Sequence, residues 1–302
     1  MNKYKLEPQR SAEIYTITDE NDFLNNVHGR FPFVQRTQCN VSYFAYCPFC
    51  LNPIQLVSYT GSVRAHGKHI GNGKKVLHFK WDYDRYKYCP YASHKPYVLI
   101  EDNERLENLD DNILYMYSLL KENFDKVKYV IEITLGMSFS KSFWKESIDL
   151  FLNSRAYMSP YLTERNLPYI FLYFAMQHQS IYGQIISENS VFFCALKDYA
   201  DLDLTKVYSR QNTEYYKISG SKRYIELRLR LYDYKQQAVN GEDISESMVA
   251  AIDERISGKT LFEGRIILSA DFFDNLVKKK DTFRDEKILE MASENIPVIK
   301  LR

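Results

Sequence analysis

YCPFCLNP, residues 46–53, places Cys47 and Cys50 three positions apart, with one proline between them and Pro53 soon after. A C-x-x-C pair is typical of a metal knuckle or of a redox pair. A redox pair lies at the start of a helix that follows a strand, but Pro53 and the lack of a helical period after Cys50 argue against a helix here. We therefore interpret the pair as half of a metal site. A redox pair or ordinary buried cysteines are the alternatives.

The second half of the site is predicted at YCPYASH, residues 88–94, which repeats the Cys-Pro-aromatic pattern. Zn²⁺ takes four ligands in a tetrahedron, commonly from two clusters that are distant in sequence. Cys47, Cys50, Cys89 and His94 would form a zinc finger-like Cys₃His site, and His69 in the glycine-rich AHGKHIGNG is the alternative fourth ligand. Because protein atoms would fill all four positions, the zinc is predicted to be structural.

The segment between these halves is basic and aromatic. Residues 64–95 contain eight Lys and Arg against two Asp, a local charge of +6 in a chain of net charge +1. Lysines attract phosphates, and aromatic rings can stack on exposed bases. The alternative is a half-buried strand with one solvated face. The predicted nucleic-acid contacts are Lys74, Lys75, Lys80, Arg85 and Lys87 for phosphates, and Trp81 and Tyr86 for stacking.

The sequence predicts an α+β protein of two parts. Residues 1–100 would form a small β-rich, zinc-stabilised module that carries the basic aromatic loop. Residues 101–302 would form a larger, mainly helical domain with a few short strands, packed against the module. The boundary is placed near residue 100 because short alternating segments give way there to longer stretches with a helical period.

Strands are predicted from short β-branched runs. Helices are predicted from apolar spacing and from capping signals, namely Ser140 as an N-cap, Pro168 in a first turn and Gly258 just past a helix end. The apolar stretch at 221–240 also alternates as a strand would, through Leu227, Leu229 and Leu231. We favour a helix there because the stretch is long and lacks breakers. The predicted helices are 103–124, 140–154, 168–183, 221–240, 245–257, 269–280 and 282–294, and the predicted strands are 13–18, 40–46, 96–102, 128–136 and 297–302, with 190–196 as a strand or helix edge.

The composition and the motifs that are missing limit the classes of function that this sequence allows. An N-terminus without an apolar run and the lack of a stretch of about 20 apolar residues predict a cytoplasmic protein that does not enter a membrane. Five cysteines, an odd number, argue against a disulfide framework. No P-loop or nucleophile elbow occurs.

Three functions remain open. The first is a non-enzymatic nucleic-acid-binding protein, and the second is a protein–protein interaction subunit with a purely structural zinc. The third is a metal-dependent nuclease with scattered carboxylates, for which Glu132 and Glu226 are weak candidates. His178 is more readily explained as a satisfied histidine than as a base. The sequence does not specify an oligomeric state.

Overall fold

The computed structural model describes residues 1–37, 40–59, 64–70, 76–92, 98–101, 103–220, 225–239, 243–279 and 284–299. These residues form helices and antiparallel sheets, so the predicted α+β class is confirmed. Within the described ranges, every helix is too short or too polar to cross a membrane.

The chain divides into two compact units. The first unit contains Met1–Val98, Leu106–Tyr115 and Gln236–Ser245, and the second contains Leu99–Arg105, Met116–Lys235 and Glu246–Arg302.

The first unit is built around a four-stranded antiparallel meander, in which β3, β4, β5 and β6 pair in chain order. A second, two-stranded sheet pairs β1 with β2. The elements from the N-terminus are β1 (Lys3–Tyr4), β2 (Tyr15–Thr16), α1 (Glu20–Val27), β3 (Val34–Arg36), β4 (Val41–Tyr46), β5 (Pro53–Val57), β6 (His66–His69) and α2 (Tyr83–Tyr86).

One face of the meander forms the core of this unit. Ala45 and Ile54 are cross-strand partners and are fully buried. They pack with Phe23 of α1 and with the cysteines of the YCPFC stretch in one apolar cluster. The candidate metal ligands therefore belong to the core itself, where they are shielded from water.

The rest of the chain contains helices and two more four-stranded sheets, with strand orders β10-β11-β9-β8 and β14-β13-β12-β7. A short 3₁₀ turn at Ala156–Met158 follows α5. The elements in chain order are β7 (Val98–Leu99), α3 (Asp111–Glu122), α4 (Phe124–Leu135), β8 (Met137–Ser138), α5 (Lys141–Asn153), α6 (Leu167–Ala175), β9 (Ile185–Ser187), α7 (Phe193–Lys197), β10 (Leu202–Arg210), β11 (Thr213–Gly220), β12 (Leu227–Val239), β13 (Asp243–Glu254), β14 (Lys259–Leu268), α8 (Ala270–Lys278) and α9 (Glu286–Asn295).

Several local predictions are confirmed. Helix α5 begins after Ser140, whose side chain accepts a hydrogen bond from the backbone N–H of Phe143. Pro168 lies in the first turn of α6, where its missing N–H costs nothing. Helix α6 is buried almost all round, as its composition indicates, although it ends at Ala175 instead of continuing to residue 183. Helices α8 and α9 also occupy predicted segments.

The strand predicted at 128–136 is wrong, because this segment lies in helix α4. Its buried residues Val127, Val130, Ile131 and Leu135 recur at helical spacing. Gly136 does not end a strand but closes the helix in the left-handed conformation, with φ of 63°. Burial of one helix face outweighs the weak β preference of branched side chains.

The helices predicted at 221–240 and 245–257 are also wrong. Residues 227–239 and 243–254 form the two long strands β12 and β13. Leu227, Leu229 and Leu231 are buried along one side of β12, so the alternating interpretation of this stretch was correct. Gly258, predicted to end a helix, instead adopts φ of 69° in the turn from β13 to β14.

Two other predictions are only partly covered. The strand predicted at 96–102 is reduced to Val98–Leu99 within the described residues, and part of 297–302 lies outside them. Residues 76–81 are described and form no strand, so the half-buried strand considered for the basic loop is wrong.

Candidate metal centre

Four side chains from three separate parts of the first unit meet in its core. The Sγ atoms of Cys47, Cys50 and Cys89 and a ring nitrogen of His69 all lie within 4.8 Å of one another. The three cysteines are at most 2% exposed, and His69 is half-buried. This group could hold a metal ion.

The knuckle, residues 47–52, is the loop between β4 and β5. The N–H of Cys47 donates to the carbonyl of Asn52 at 2.8 Å, and the N–H of Leu51 donates to the carbonyl of Cys47 at 3.0 Å. Leu51 adopts the left-handed conformation with φ of 59°. These bonds turn the chain so tightly that both thiols of the C-x-x-C pair point to one side. A redox C-x-x-C pair lies at the start of a helix. Here the second strand of a hairpin follows the pair, so the geometry is not that of a redox motif.

The other two ligands come from β6 and from the segment after α2. His69 is the last residue of β6, and it pairs with Ile54 of β5, next to the knuckle. Cys89 follows the short helix α2, and its N–H donates to the carbonyl of Tyr86 at 2.9 Å. Sheet register places the histidine at this site, and helix α2 places Cys89.

The distances fit a tetrahedral zinc ion. With Zn–S bonds of about 2.3 Å and Zn–N bonds of about 2.0–2.1 Å, two sulfurs lie about 3.8 Å apart and a sulfur and a nitrogen about 3.6 Å apart. The Sγ atoms of Cys47 and Cys89 are 3.8 Å apart. His69 Nε2 lies 3.2 Å from Cys50 Sγ and 3.8 Å from Cys89 Sγ. A disulfide requires about 2.05 Å between sulfurs, and all of these cysteines are free.

The pKa values of the four groups are shifted in different directions. Burial raises the pKa of Cys50, and it raises the pKa of Cys89 well above the usual value. Burial also acts to raise the pKa of Cys47, but hydrogen bonds from Cys50 and Cys89 and the charge of His69 outweigh it, so this pKa lies well below the usual value. For His69, burial lowers the pKa, but the Cys47 thiolate more than compensates and raises it to about 10. These opposite shifts favour a thiolate on Cys47 and a protonated ring on His69, beside two thiols that keep their protons.

Asn52 links the two halves of the site without any metal. Its Nδ2 donates to the carbonyl of Asp82 at 2.8 Å, and its Oδ1 accepts from the N–H of Asp82 at 2.7 Å. Asp82 in turn caps α2 by accepting from the N–H of Arg85. The side chain after the knuckle is therefore paired with the backbone that leads to Cys89.

Two buried basic residues contact the knuckle or the end of the strand that leads into it. Arg10 is 4% exposed and donates to the carbonyl of Pro48 at 3.3 Å. Lys5 is fully buried, and its backbone exchanges two 2.9 Å hydrogen bonds with Tyr46. A zinc ion with three thiolates and a neutral imidazole carries a net charge of −1, which the guanidinium of Arg10 beside Pro48 would partly compensate.

Trp81 and Tyr86, predicted to stack on bases, lie beside the metal centre. Their rings lie 6.3 Å and 5.0 Å from the ring of His69, both edge-on, and 4.8 Å from each other. Both residues are half-buried. They form an aromatic wall beside the histidine.

The predicted basic contacts differ in their surroundings. The side chain of Arg85 is 14% exposed and forms ion pairs with Asp82 and Asp110. Lys87 lies 3.9 Å from Asp84 and 4.6 Å from the centre of the Tyr88 ring. Lys80 is exposed. Lys74, Lys75 and His94 lie outside the described residues.

Sequence reasoning missed Asn52, Asp82 and Arg10. Asn52 directly follows the knuckle, so its position was the one available signal for a supporting role. Arg10 had none, because its contact with Pro48 crosses 38 residues of chain.

Comparison with known proteins identifies no relative. No protein-family model matches this chain, and no curated protein or solved structure matches it significantly either.

Proposed function

We propose that the first unit is a zinc-stabilised binding module and that the chain is a non-enzymatic nucleic-acid-binding protein. The assignment of zinc rests on one observation. Cys47, Cys50, Cys89 and His69 converge at distances that suit a tetrahedral ion. Zinc is the metal that this mixture of thiolates and imidazole most commonly binds. Reduced cysteines of this kind suit a reducing compartment such as the cytoplasm.

The zinc in this proposal is structural. Three thiolates and one imidazole complete a tetrahedron, so no coordination position is left for water or substrate. The cysteines are buried in the core of the unit, where the ion would join the knuckle, β6 and the segment after α2. Its role is to keep the intervening basic segment in one conformation.

Positive charge supports binding to nucleic acid. Residues 64–95 carry a local charge of +6. Lys68 on β6 and Lys80 are exposed and form no ion pair with any described residue. Because Trp81 and Tyr86 pack beside His69, the proposed contacts are mainly with phosphates. Such binding would show little sequence preference and a strong dependence on salt.

A second candidate, the protein-interaction subunit, is favoured by an exposed apolar patch. Phe31 is 52% exposed and Leu77 is 67% exposed. The Phe31 ring contacts the ring of His78 at 4.9 Å, and Gln35 donates to the carbonyl of Leu77. Adjacent exposed apolar side chains are a feature of protein-binding surfaces.

Two measurements test the proposal. Metal analysis by mass spectrometry should find one zinc per wild-type chain and much less in Cys47→Ser. Labelled single- and double-stranded oligonucleotides should bind at low salt, with an affinity that falls steeply as salt rises. Zinc without oligonucleotide binding would favour the protein-interaction function. A wild-type protein without zinc would overturn the metal assignment.

A further inference from the structure

The second unit contains an open, polar cavity that has no part in the proposed zinc module. Its volume is ≈420 Å³, within the range of about 300–1,000 Å³ that is usual for small-molecule sites. It lies where the start of α5, the segment after α6 and the start of β12 come together. His178 and Glu226, which lacked a partner motif in the sequence, both line it.

Backbone pairing fixes the wall of this cavity. The N–H of His178 donates to the carbonyl of Leu229 at 2.7 Å, and the N–H of Ile181 donates to that of Leu227 at 3.0 Å. Ser180 forms an isolated bridge with Arg228. The segment 178–181 is therefore held along β12. His178 itself has a φ of 62°, a left-handed conformation that is uncommon for residues other than glycine but that histidine adopts more readily than most.

The charges in the cavity are balanced except at one group. Glu226 accepts from Arg228 Nε at 2.8 Å and from Arg255 Nη1 at 3.0 Å, so two guanidinium groups compensate its charge. Glu146 is exposed on α5 and forms no ion pair with any described residue. One uncompensated carboxylate therefore lies among hydroxyl, amide and imidazole groups.

A buried acceptor at this cavity lacks a donor. Gln179 lines the cavity and is 6% exposed. Its Nε2 donates to Ser147 Oγ at 2.9 Å and to the carbonyl of Ala175 at 2.5 Å. Its Oε1 is buried without a hydrogen-bond partner within the described residues. Buried acceptors are normally satisfied by protein groups or ordered water, so Gln179 adds an unsatisfied polar group to the wall of the cavity.

We propose that this cavity binds a small polyhydroxylated ligand, of the size of a mono- or disaccharide. Hydroxyl groups both donate and accept, so they can satisfy the Glu146 carboxylate as well as the guanidinium of Arg228. The ring of Tyr182, 38% exposed at the rim, offers a surface for the apolar face of a sugar. The uncompensated carboxylate of Glu146 disfavours an anionic ligand, and the polar lining disfavours an apolar one.

Saturation-transfer NMR on the full chain tests the proposal, with glucose, galactose, mannose and ribose as probes. Putrescine and inorganic phosphate serve as cationic and anionic comparisons. At least one sugar should show transfer. Glu146→Gln should weaken its binding about tenfold, the loss expected for a hydrogen bond to a charged group. Asp149→Asn, on the same helix but outside the cavity lining, should bind as the wild type does.

Several outcomes would overturn the proposal. They are no transfer to any of the sugars, stronger binding of putrescine or phosphate than of every sugar, or sugar binding that is equal in wild type, in Glu146→Gln and in Gln184→Met, which removes the amide of another lining residue. Both substituted positions are at or near the surface, and an unchanged unfolding midpoint would show that the variants fold. Zinc content and oligonucleotide binding do not enter this test, so its failure leaves the zinc-module proposal standing.

Discussion

The Sγ atom of Cys50 lies 3.2 Å from Nε2 of His69, although 19 residues separate them in the chain. The contact depends on the register of the meander, in which His69 pairs with Ile54 at the end of the hairpin that carries the knuckle. A slip of one residue in β6 would turn the imidazole to the opposite face of the sheet. The metal centre therefore depends on sheet pairing as much as on its ligands.

His69 is expected to be required for zinc, whereas His66 on the same strand is not. Loss of a supporting contact around a metal commonly costs about 10–100-fold in affinity, and loss of a ligand should cost more than about 100-fold. Competition with a chromophoric chelator measures the affinity of His69→Ala against His66→Ala. Equal affinities in the two variants would remove His69 from the site.

Cys89→Ser should lose zinc and lower the stability of the first unit, and Cys194→Ser should do neither. Cys89 is fully buried at the cluster, whereas Cys194 is exposed on α7. Structural zinc contributes directly to folding free energy, so the first variant should unfold at lower denaturant concentration. Metal analysis and urea unfolding followed by circular dichroism report both effects. Full zinc content in Cys89→Ser would contradict the assignment.

Asn52→Ala should destabilise the first unit by about 1–3 kcal/mol, because the backbone N–H and carbonyl of Asp82 lose their partners. Asn25→Ala, at an exposed position on α1, is the control and should change the unfolding free energy much less. Urea unfolding with excess zinc and with a chelator separates this effect from metal loss. A destabilisation that appears only when zinc is present would show that Asn52 acts through the metal.

Zinc binding should release about three protons near neutral pH. Without metal, the Cys47 thiolate raises the pKa of His69 to about 10, and burial raises the pKa values of Cys50 and Cys89. These shifts favour the protonated forms of all three groups, whereas the lowered pKa of Cys47 favours its thiolate. Zinc requires neutral imidazole and thiolates, so protons compete with it and affinity falls as pH falls. Calorimetry in buffers of different ionisation enthalpy counts the protons. Release of one proton or none would contradict this charge distribution.

Substitution of Lys68 and Lys80 by alanine should weaken oligonucleotide binding and flatten its salt dependence. Each lost phosphate contact lowers the log–log salt slope by about 1, so the double variant should lose about 2. Lys278→Ala/Lys287→Ala, which removes the same charge from α8 and α9, should leave the slope unchanged. Fluorescence anisotropy over a salt series measures both. An equal loss in both double variants would show a non-specific effect of net charge.

Local signals in the sequence were sufficient for several features. The C-x-x-C spacing, Ser140 before α5 and Pro168 at the start of α6 each act through neighbours a few residues away. Their structural consequences therefore followed from spacing and capping alone. The three cysteines of the candidate centre were also identified from their clustering, because the chemistry of a thiol ligand does not depend on the rest of the fold.

Other features depended on partners that are distant in sequence. The apolar pattern at 227–239 is compatible with a helix or a strand. It forms a strand because it pairs with neighbouring strands in its sheet. The segment 128–135 is rich in branched residues, yet it forms a helix because one helical face is buried in the second unit. Trp81 and Tyr86 are residue types that suit base stacking, and only the structure shows that they pack beside His69 at the metal centre. The sequence by itself determined which side chains could bind a metal. Only the tertiary structure decided that His69 stands beside them, because sheet register is fixed by burial on one face and not by spacing along the chain.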